Sequence, residues 1–348
     1  MVRERVLVDA LPLLSLWQSE PLQLQSSHLS FQEYFAARAL CDEGTELSGT
    51  PPWQWPTWWA NAVELGTEIT GDLFGRGLLR AAGVTGDTLD LSAKLGGDRP
   101  TVRRVLATMM KTAVLTELQL GANGIGDEGA KAIAEALKSG TAVLTILGLG
   151  ANNIGPEGAK AIAEGLKSGT AVVTTLFLRN NSIEDEGAKA IAEALKVNPV
   201  LTTLVLNWNQ IGDEGAKAIA EALKSGTAVL TTLFLHQNWI GDEGAKAIAE
   251  ALKSGTAVLT TLWLFDNEIG DEGAMGIAEA LKVNAVLTEL GLGNNRIEDK
   301  GAKAIANALK SGTVVLTELW LCVNNIGDAG KTAVQDAVKD WSGFKLHL

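Results

Sequence analysis

Read as a string of apolar and polar positions, the chain from residue 115 onward repeats itself. The pattern L-T-x-L-x-L-x-x-N-x-I starts at Leu115, Leu144, Val173, Leu201, Leu230, Leu259, Leu287 and Leu316, at intervals of 28 or 29 residues. In LTELQL (115–120) the alternation puts Leu118 and Leu120 on one face of a short strand and Glu117 and Gln119 on the other. An asparagine follows at 123, 152, 181, 209, 238, 267, 295 and 324, where an amide with both donors and acceptors can satisfy a buried turn. A helical segment comes next. In GDEGAKAIAEALKSG (126–140), Ala130, Ile133, Ala134 and Leu137 lie on one helical stripe, Asp127 reads as the N-cap and Gly140 as the stop. Glu128, Lys131, Glu135 and Lys138 fall at ion-pair spacing on the opposite, solvated face. The two 28-residue intervals follow KVNPV (196–200) and KVNAV (282–286), which replace the longer KSGTAV loop.

One strand and one helix per unit, stacked, predict a parallel inner sheet, outer helices and an arc bent by the bulkier helical layer. The pattern resembles the ribonuclease-inhibitor type of leucine-rich repeat over about two thirds of the chain. The expected fold class is therefore an α/β horseshoe solenoid with a small, mainly helical N-terminal segment. The expected divisions are residues 1–86 for that segment, 87–114 for a cap repeat and 115–348 for eight repeats with a C-terminal cap. Leu89 and Leu91 stand 29 residues before Leu118 and Leu120, with Lys94 in place of the ladder asparagine. At the other end, KDWSGFKLHL is expected to cover the last unit with Trp341 and Phe344.

Ahead of the repeats the composition changes. PLQLQ (21–25) alternates like a short strand, Ser30 to Glu33 form a capping box, and FGRGLLRAAG (74–83) reads as a short helix. Trp53, Trp55, Trp58 and Trp59 crowd one stretch, read as packing between elements. HLSFQEYFAAR (28–38) resembles the stretch that closes the winged-helix part of NACHT-domain proteins, the NOD-like receptors, in which helical linker elements and then ribonuclease-inhibitor-type repeats follow. That resemblance implies a nucleotide-sensing role for the position held by His28. No glycine-rich phosphate loop and no acidic magnesium motif precede it. The chain is then either the C-terminal part of a longer receptor or a relative that has lost its ATPase.

Charge and composition narrow the function. With 29 basic against 41 acidic residues the net charge is −12, which disfavours a nucleic-acid surface. Cys41 and Cys322 are the two cysteines, few enough to suggest a reducing, cytoplasmic setting, and no run approaches the ~18 apolar residues of a membrane span. His28, His236 and His347 share no metal-ligand spacing, and no nucleophile-and-base arrangement is visible. Gly330-Lys331-Thr332 ends like a phosphate loop but lacks its first glycine, because Asn325 stands there. The expectation is a non-enzymatic module with no cofactor and no metal, binding a protein or other macromolecular ligand on its concave face. A GTPase-activating protein of the Ran type, or an inhibitor of an enzyme such as a ribonuclease, are the alternatives. The Ran-type proteins carry an acidic tail that WSGFKLHL lacks, and Arg179 and Arg296 have no recognisable catalytic context.

The binding face is read from differences between repeats. Core positions hardly vary, whereas outward strand positions carry Phe177, Phe234, Trp263 and Trp320, then Arg179, His236 and Phe265 two residues on. The next positions add Trp208 and Asp266, and Trp239 follows a ladder asparagine. Aromatics beside Arg and His in solvent have the composition of an interaction hot spot, centred on Phe177 to Asp266.

Overall fold

A computed structural model describes residues 14–18, 23–26, 40–41, 51–55, 63–64, 66–67, 72–97 and 100–348. Among these, β1 (Leu14–Gln18) and β2 (Gln23–Ser26) pair antiparallel. A short helix, α1 (Asp72–Ala81), buries Phe74, Leu78 and Leu79 and ends at Gly83, whose φ of +71° suits a helix stop. The N-terminal segment thus contains a hairpin as well as helix. Trp53 is buried and Trp55 packs on the core, while Trp58, Trp59 and the capping box at Ser30 lie outside the described residues.

From residue 88 onward the chain is a solenoid: ten parallel strands in strict sequence order form one open sheet. The strands are β3 (Thr88–Asp90), β4 (Glu117–Gln119), β5 (Ile146–Gly148), β6 (Thr175–Phe177) and β7 (Thr203–Val205). They continue as β8 (Thr232–Phe234), β9 (Thr261–Trp263), β10 (Glu289–Gly291), β11 (Glu318–Trp320) and β12 (Lys345–His347). Helices alternate with them: α2 (Pro100–Met110), α3 (Gly126–Lys138), α4 (Pro156–Lys167), α5 (Glu184–Leu195) and α6 (Asp213–Lys224). The rest are α7 (Asp242–Lys253), α8 (Asp271–Leu281), α9 (Asp299–Leu309) and α10 (Asp328–Val338). Equivalent residues pair in register, Leu118 with Leu147 and Leu147 with Leu176. The leucines and isoleucines of the repeat, with most of its alanines, are almost wholly excluded from water and form one continuous core. No described helix is long and apolar enough to cross a membrane.

A strand of three residues cannot hold itself together, so side chains tie each unit to its neighbour. Asn152 Nδ2 donates to the carbonyls of Leu120 (2.9 Å) and Gly150 (3.2 Å), and its Oδ1 accepts the N–H groups of Asn123 (2.9 Å) and Ile125 (3.3 Å). Asn209, Asn238 and Asn267 repeat this scheme. A threonine ladder runs beside it: Thr145 Oγ1 donates to the Thr116 carbonyl at 3.1 Å, and Thr174 to that of Thr145 at 3.2 Å. At the N-terminal end Lys94 is exposed, and the Leu95 N–H donates to Asn123 Oδ1 at 2.9 Å. In the two shortened loops Asn198 and Asn284 take over the linking role, donating to the carbonyls of Leu166 and Leu252, both at 2.9 Å.

The aspartates behave differently from the sequence expectation. Asp127 does not cap its own helix. Its Oδ1 accepts the N–H groups of Gly155 (2.8 Å) and Gly158 (2.9 Å), at the start of the next helix, α4. Asp185, Asp213, Asp242, Asp271 and Asp299 act the same way, each reaching one repeat ahead. A carboxylate on two helix-start N–H groups gains from hydrogen bonding and from the helix dipole. The geometry also dictates glycine. A Cβ on Gly244 would lie 2.8 Å from both Asp213 Oδ1 and Ile240 Cγ2. Where Pro156 replaces the aspartate, the following helix start changes. Glu184 takes φ +56° instead of the extended backbone of Gly212 (φ −100°), and its N–H turns to the Asn209 carbonyl at 3.0 Å.

Two stability measurements test this capping scheme. Asp213→Ala should lower unfolding free energy by about 1–2 kcal/mol in urea titration, because two N–H groups of α7 lose their acceptor. Glu184→Gly should raise it by about 0.5–1 kcal/mol, since an exposed side chain in the left-handed region is strained and glycine is not. An unchanged midpoint for either variant contradicts the scheme.

Candidate functional site

The inner face of the sheet is built from the residues that the ladders leave free. A hollow of about 800 Å³ runs along it, lined among others by Gln119, Phe177, Arg179, Asn207, Trp208, Phe234, His236 and Trp263. A second depression of about 430 Å³ lies where the strands turn, and there Trp208, Trp239 and Asp266 meet Asn153, Asn180, Gln210 and Gln237. Phe265 and Trp320 belong to neither, and continue the wall toward the C-terminus. The ten residues singled out from the sequence therefore share one face but divide among three places on it.

Their exposure also departs from the expectation of aromatics in open solvent. Phe234 and Trp263 stack face to face, centroids 4.1 Å apart and planes 9° from parallel, so each half-buries the other. Phe265 meets Trp263 edge-on at 5.8 Å and Trp320 at 5.6 Å. It can lie there because a Cβ on Gly291 would collide with its ring; glycine opens the wall at the repeat between the two tryptophans. The row closes with His347, stacked on Trp320 at 5.1 Å and bonded to Glu318 at 3.1 Å. His347 was not legible as part of this wall, because the pairing of β12 with β11 puts it there. Trp341 and Phe344 pack edge to face at 5.1 Å beside it, and are partly buried against the core. Among the described tryptophan and phenylalanine rings only Trp208 and Trp239 stand well into solvent, at 53% and 60% exposure.

The backbone at the rim is strained in a regular way. The residue before each ladder asparagine has positive φ: +54° at Asn180, +59° at Trp208, +56° at Gln237, +52° at Asp266. Asparagine and aspartate tolerate this region; a tryptophan there is uncommon. The site thus keeps a large exposed ring at a position where a small polar residue would be easier.

Seven segments of the chain, residues 113–134, 142–163, 172–192, 197–220, 228–249, 257–278 and 283–306, match the leucine-rich repeat. The protein is a leucine-rich-repeat protein. No curated protein matches the chain significantly. Among solved structures, leiomodin-1 actin-binding site 2 is similar at 28% identity over 45% of this chain and 88% of that one, with a TM-score of 0.38. Leucine-rich repeats are in general a non-enzymatic scaffold for interactions.

Within this leucine-rich-repeat array the inner face presents aromatic rings, amides and one arginine. Among the described residues no cluster of three or more His, Cys, Asp or Glu could hold a metal ion. The Gly330 N–H, at the phosphate-loop-like sequence, already donates to Asp299 Oδ1 at 3.0 Å, and that carboxylate would repel a phosphate. His28, the position matching the nucleotide sensor of NOD-like receptors, lies outside the described residues. Burial pushes the His236 imidazole below its ordinary value, so it is neutral at physiological pH, and burial raises the Asp266 carboxyl above the usual range.

A depressed histidine takes up protons more readily in the unfolded chain. The stability that neutral His236 contributes is complete above the unfolded value near 6.5 and drains away as pH falls toward the folded value. Thermal melts at stepped pH between 7 and 5 should fall more steeply for the parent than for His236→Gln. Parallel curves would show that this ring is not desolvated.

Proposed function

We propose that this leucine-rich-repeat protein is a recognition module that grips a partner protein on its concave face, over the hollow between Phe177 and Trp263. The observation that carries this reading is the collection of half-buried aromatic rings, side-chain amides and one arginine around a hollow of about 800 Å³. Rings supply large contact area at low entropic cost, and amides supply hydrogen bonds at the rim. Trp208 supports the same reading, because it places a ring 53% exposed at a left-handed position where the other repeats carry Ala, Asn, Gln, Asp or Val. The opposite, helical face carries solvated ion pairs such as Lys217–Glu214 and Lys246–Glu243, which contribute little.

The finer kinship we propose is with NOD-like receptors, on the resemblance of HLSFQEYFAAR (28–38) followed by repeats of the ribonuclease-inhibitor length. An open reading frame upstream encoding a phosphate loop with Lys-Ser or Lys-Thr would support it; unrelated sequence there would remove it.

The concave-face reading is tested with affinity purification on three forms of the full chain. Trp208→Ala with Trp239→Ala should weaken recovery of partners by about tenfold or more, as expected for exposed hot-spot rings. Glu243→Ala with Lys246→Ala on the helical face should leave recovery unchanged. The reverse pattern would place the interface on the helices.

A further inference from the structure

The middle of the hollow is a notch built by one small residue between two large ones. Phe177 and Phe234 stand two strands apart, about 10 Å. Val205, on the strand between them, is 4% exposed and forms the floor. On the adjoining row Asn207 lies between Arg179 and His236 in the same way. Asn207 is only 6% exposed, yet its Oδ1 has no hydrogen-bond partner, and neither has His236 Nδ1 nor Trp263 Nε1. The ladder asparagine two residues on, Asn209, uses its Nδ2 on three carbonyls. Buried polar atoms left unpaired are rare in folded proteins and call for a partner. Three of them gather at this one place.

The charge of the hollow is opposite to that of the chain. Of its lining residues Arg179 alone is ionised at neutral pH, and no carboxylate lines it. Arg179 makes no ion pair among the described residues, whereas Arg296 is held by Glu268 at 3.1 Å. The net charge of −12 lies largely outside the hollow, and at physiological salt its field is screened beyond about 8 Å. The nearby unpaired guanidinium therefore decides what is attracted.

We propose that the hollow recognises an extended acidic peptide segment of the partner. This rests on the concave-face reading and specifies its ligand. A carboxylate pairs with the Arg179 guanidinium, whose planar fork matches it. The Asn207 side chain, with one acceptor and one donor group, matches a main-chain N–H and C=O. A large apolar side chain enters the notch over Val205, between Phe177 and Phe234. Arg179 stands two residues beyond Phe177, about 6.6 Å along the strand direction, which is also the spacing of side chains i and i+2 of an extended peptide. A basic segment would meet Arg179 unfavourably. A nucleotide would bring several charges to a single cation.

The test is selection of a displayed library of random nine-residue peptides on the full chain. Enriched sequences should carry Asp or Glu two residues from Phe, Leu or Ile. The most enriched peptide, fluorescein-labelled, should bind about tenfold or more weakly to Arg179→Ala and to Asn207→Leu. Asn207→Leu should at the same time melt higher than the parent, because it removes the unpaired amide. Arg179→Glu should turn the selection toward Lys and Arg. Enrichment without acidic residues, acidic peptides indifferent to Arg179→Ala, or no peptide enriched at all would each overturn the proposal. Binding of a neutral glycan array in place of peptides would also overturn it. If the selected peptides lack acid but are lost with the Trp208 and Trp239 double variant, the concave-face reading stands alone. If they bind that variant as well as the parent, both fall.

Discussion

Every unit of this solenoid buries backbone groups that it cannot satisfy by itself. A strand of three residues and the turn after it leave N–H and C=O groups facing a core of leucine, and an unpaired buried group costs about 1–3 kcal/mol. The answer is a set of side chains that reach across to the adjoining repeat: Asn152 to the turn behind it, Thr145 to the carbonyl behind it, Asp127 to the helix ahead. No repeat is complete without both neighbours. The array is consequently a one-dimensional chain of interfaces in which nearest-neighbour coupling carries most of the stability.

That dependence explains why sequence freedom is so unevenly distributed. Positions that feed the ladders are fixed by geometry. Gly244 cannot gain a methyl without striking Asp213 and Ile240, and Asn238 cannot be replaced without taking the acceptor from the Asn209 and Ile211 N–H groups. Pro156 marks the effect of a single lapse: the backbone at the next helix start flips, and a glutamate takes the left-handed conformation. The inner-face side chains carry no such duty. They are free to be glycine at 291 and tryptophan at 263, and the contrast between small and large residues shapes the wall.

The inner face then acquires properties that no single repeat has. Phe265 spans the glycine repeat to join two tryptophans, and the stacked pair of Phe234 and Trp263 hides half of each ring. Rings packed this way are pre-organised, with little side-chain entropy left to lose. Locally the hollow is cationic although the chain is acidic, because the surplus carboxylates cap helices or pair with lysines elsewhere.

The repeat length, the strand and helix of each unit, the buried leucines and the asparagine ladder were all legible in the sequence, because each depends on spacing within one unit and is written eight times. The same comparison of repeats picked out the variable inner face and its aromatics. How those residues act on one another was settled only in three dimensions. Asp127 serves a helix 28 residues away, His347 joins the wall through a strand pairing, and Asn207 is stranded between Arg179 and His236. Such contacts join residues roughly one repeat apart, and their strength depends on how closely the neighbouring unit approaches. Local pattern carries no record of that distance; the stacking of the solenoid creates it.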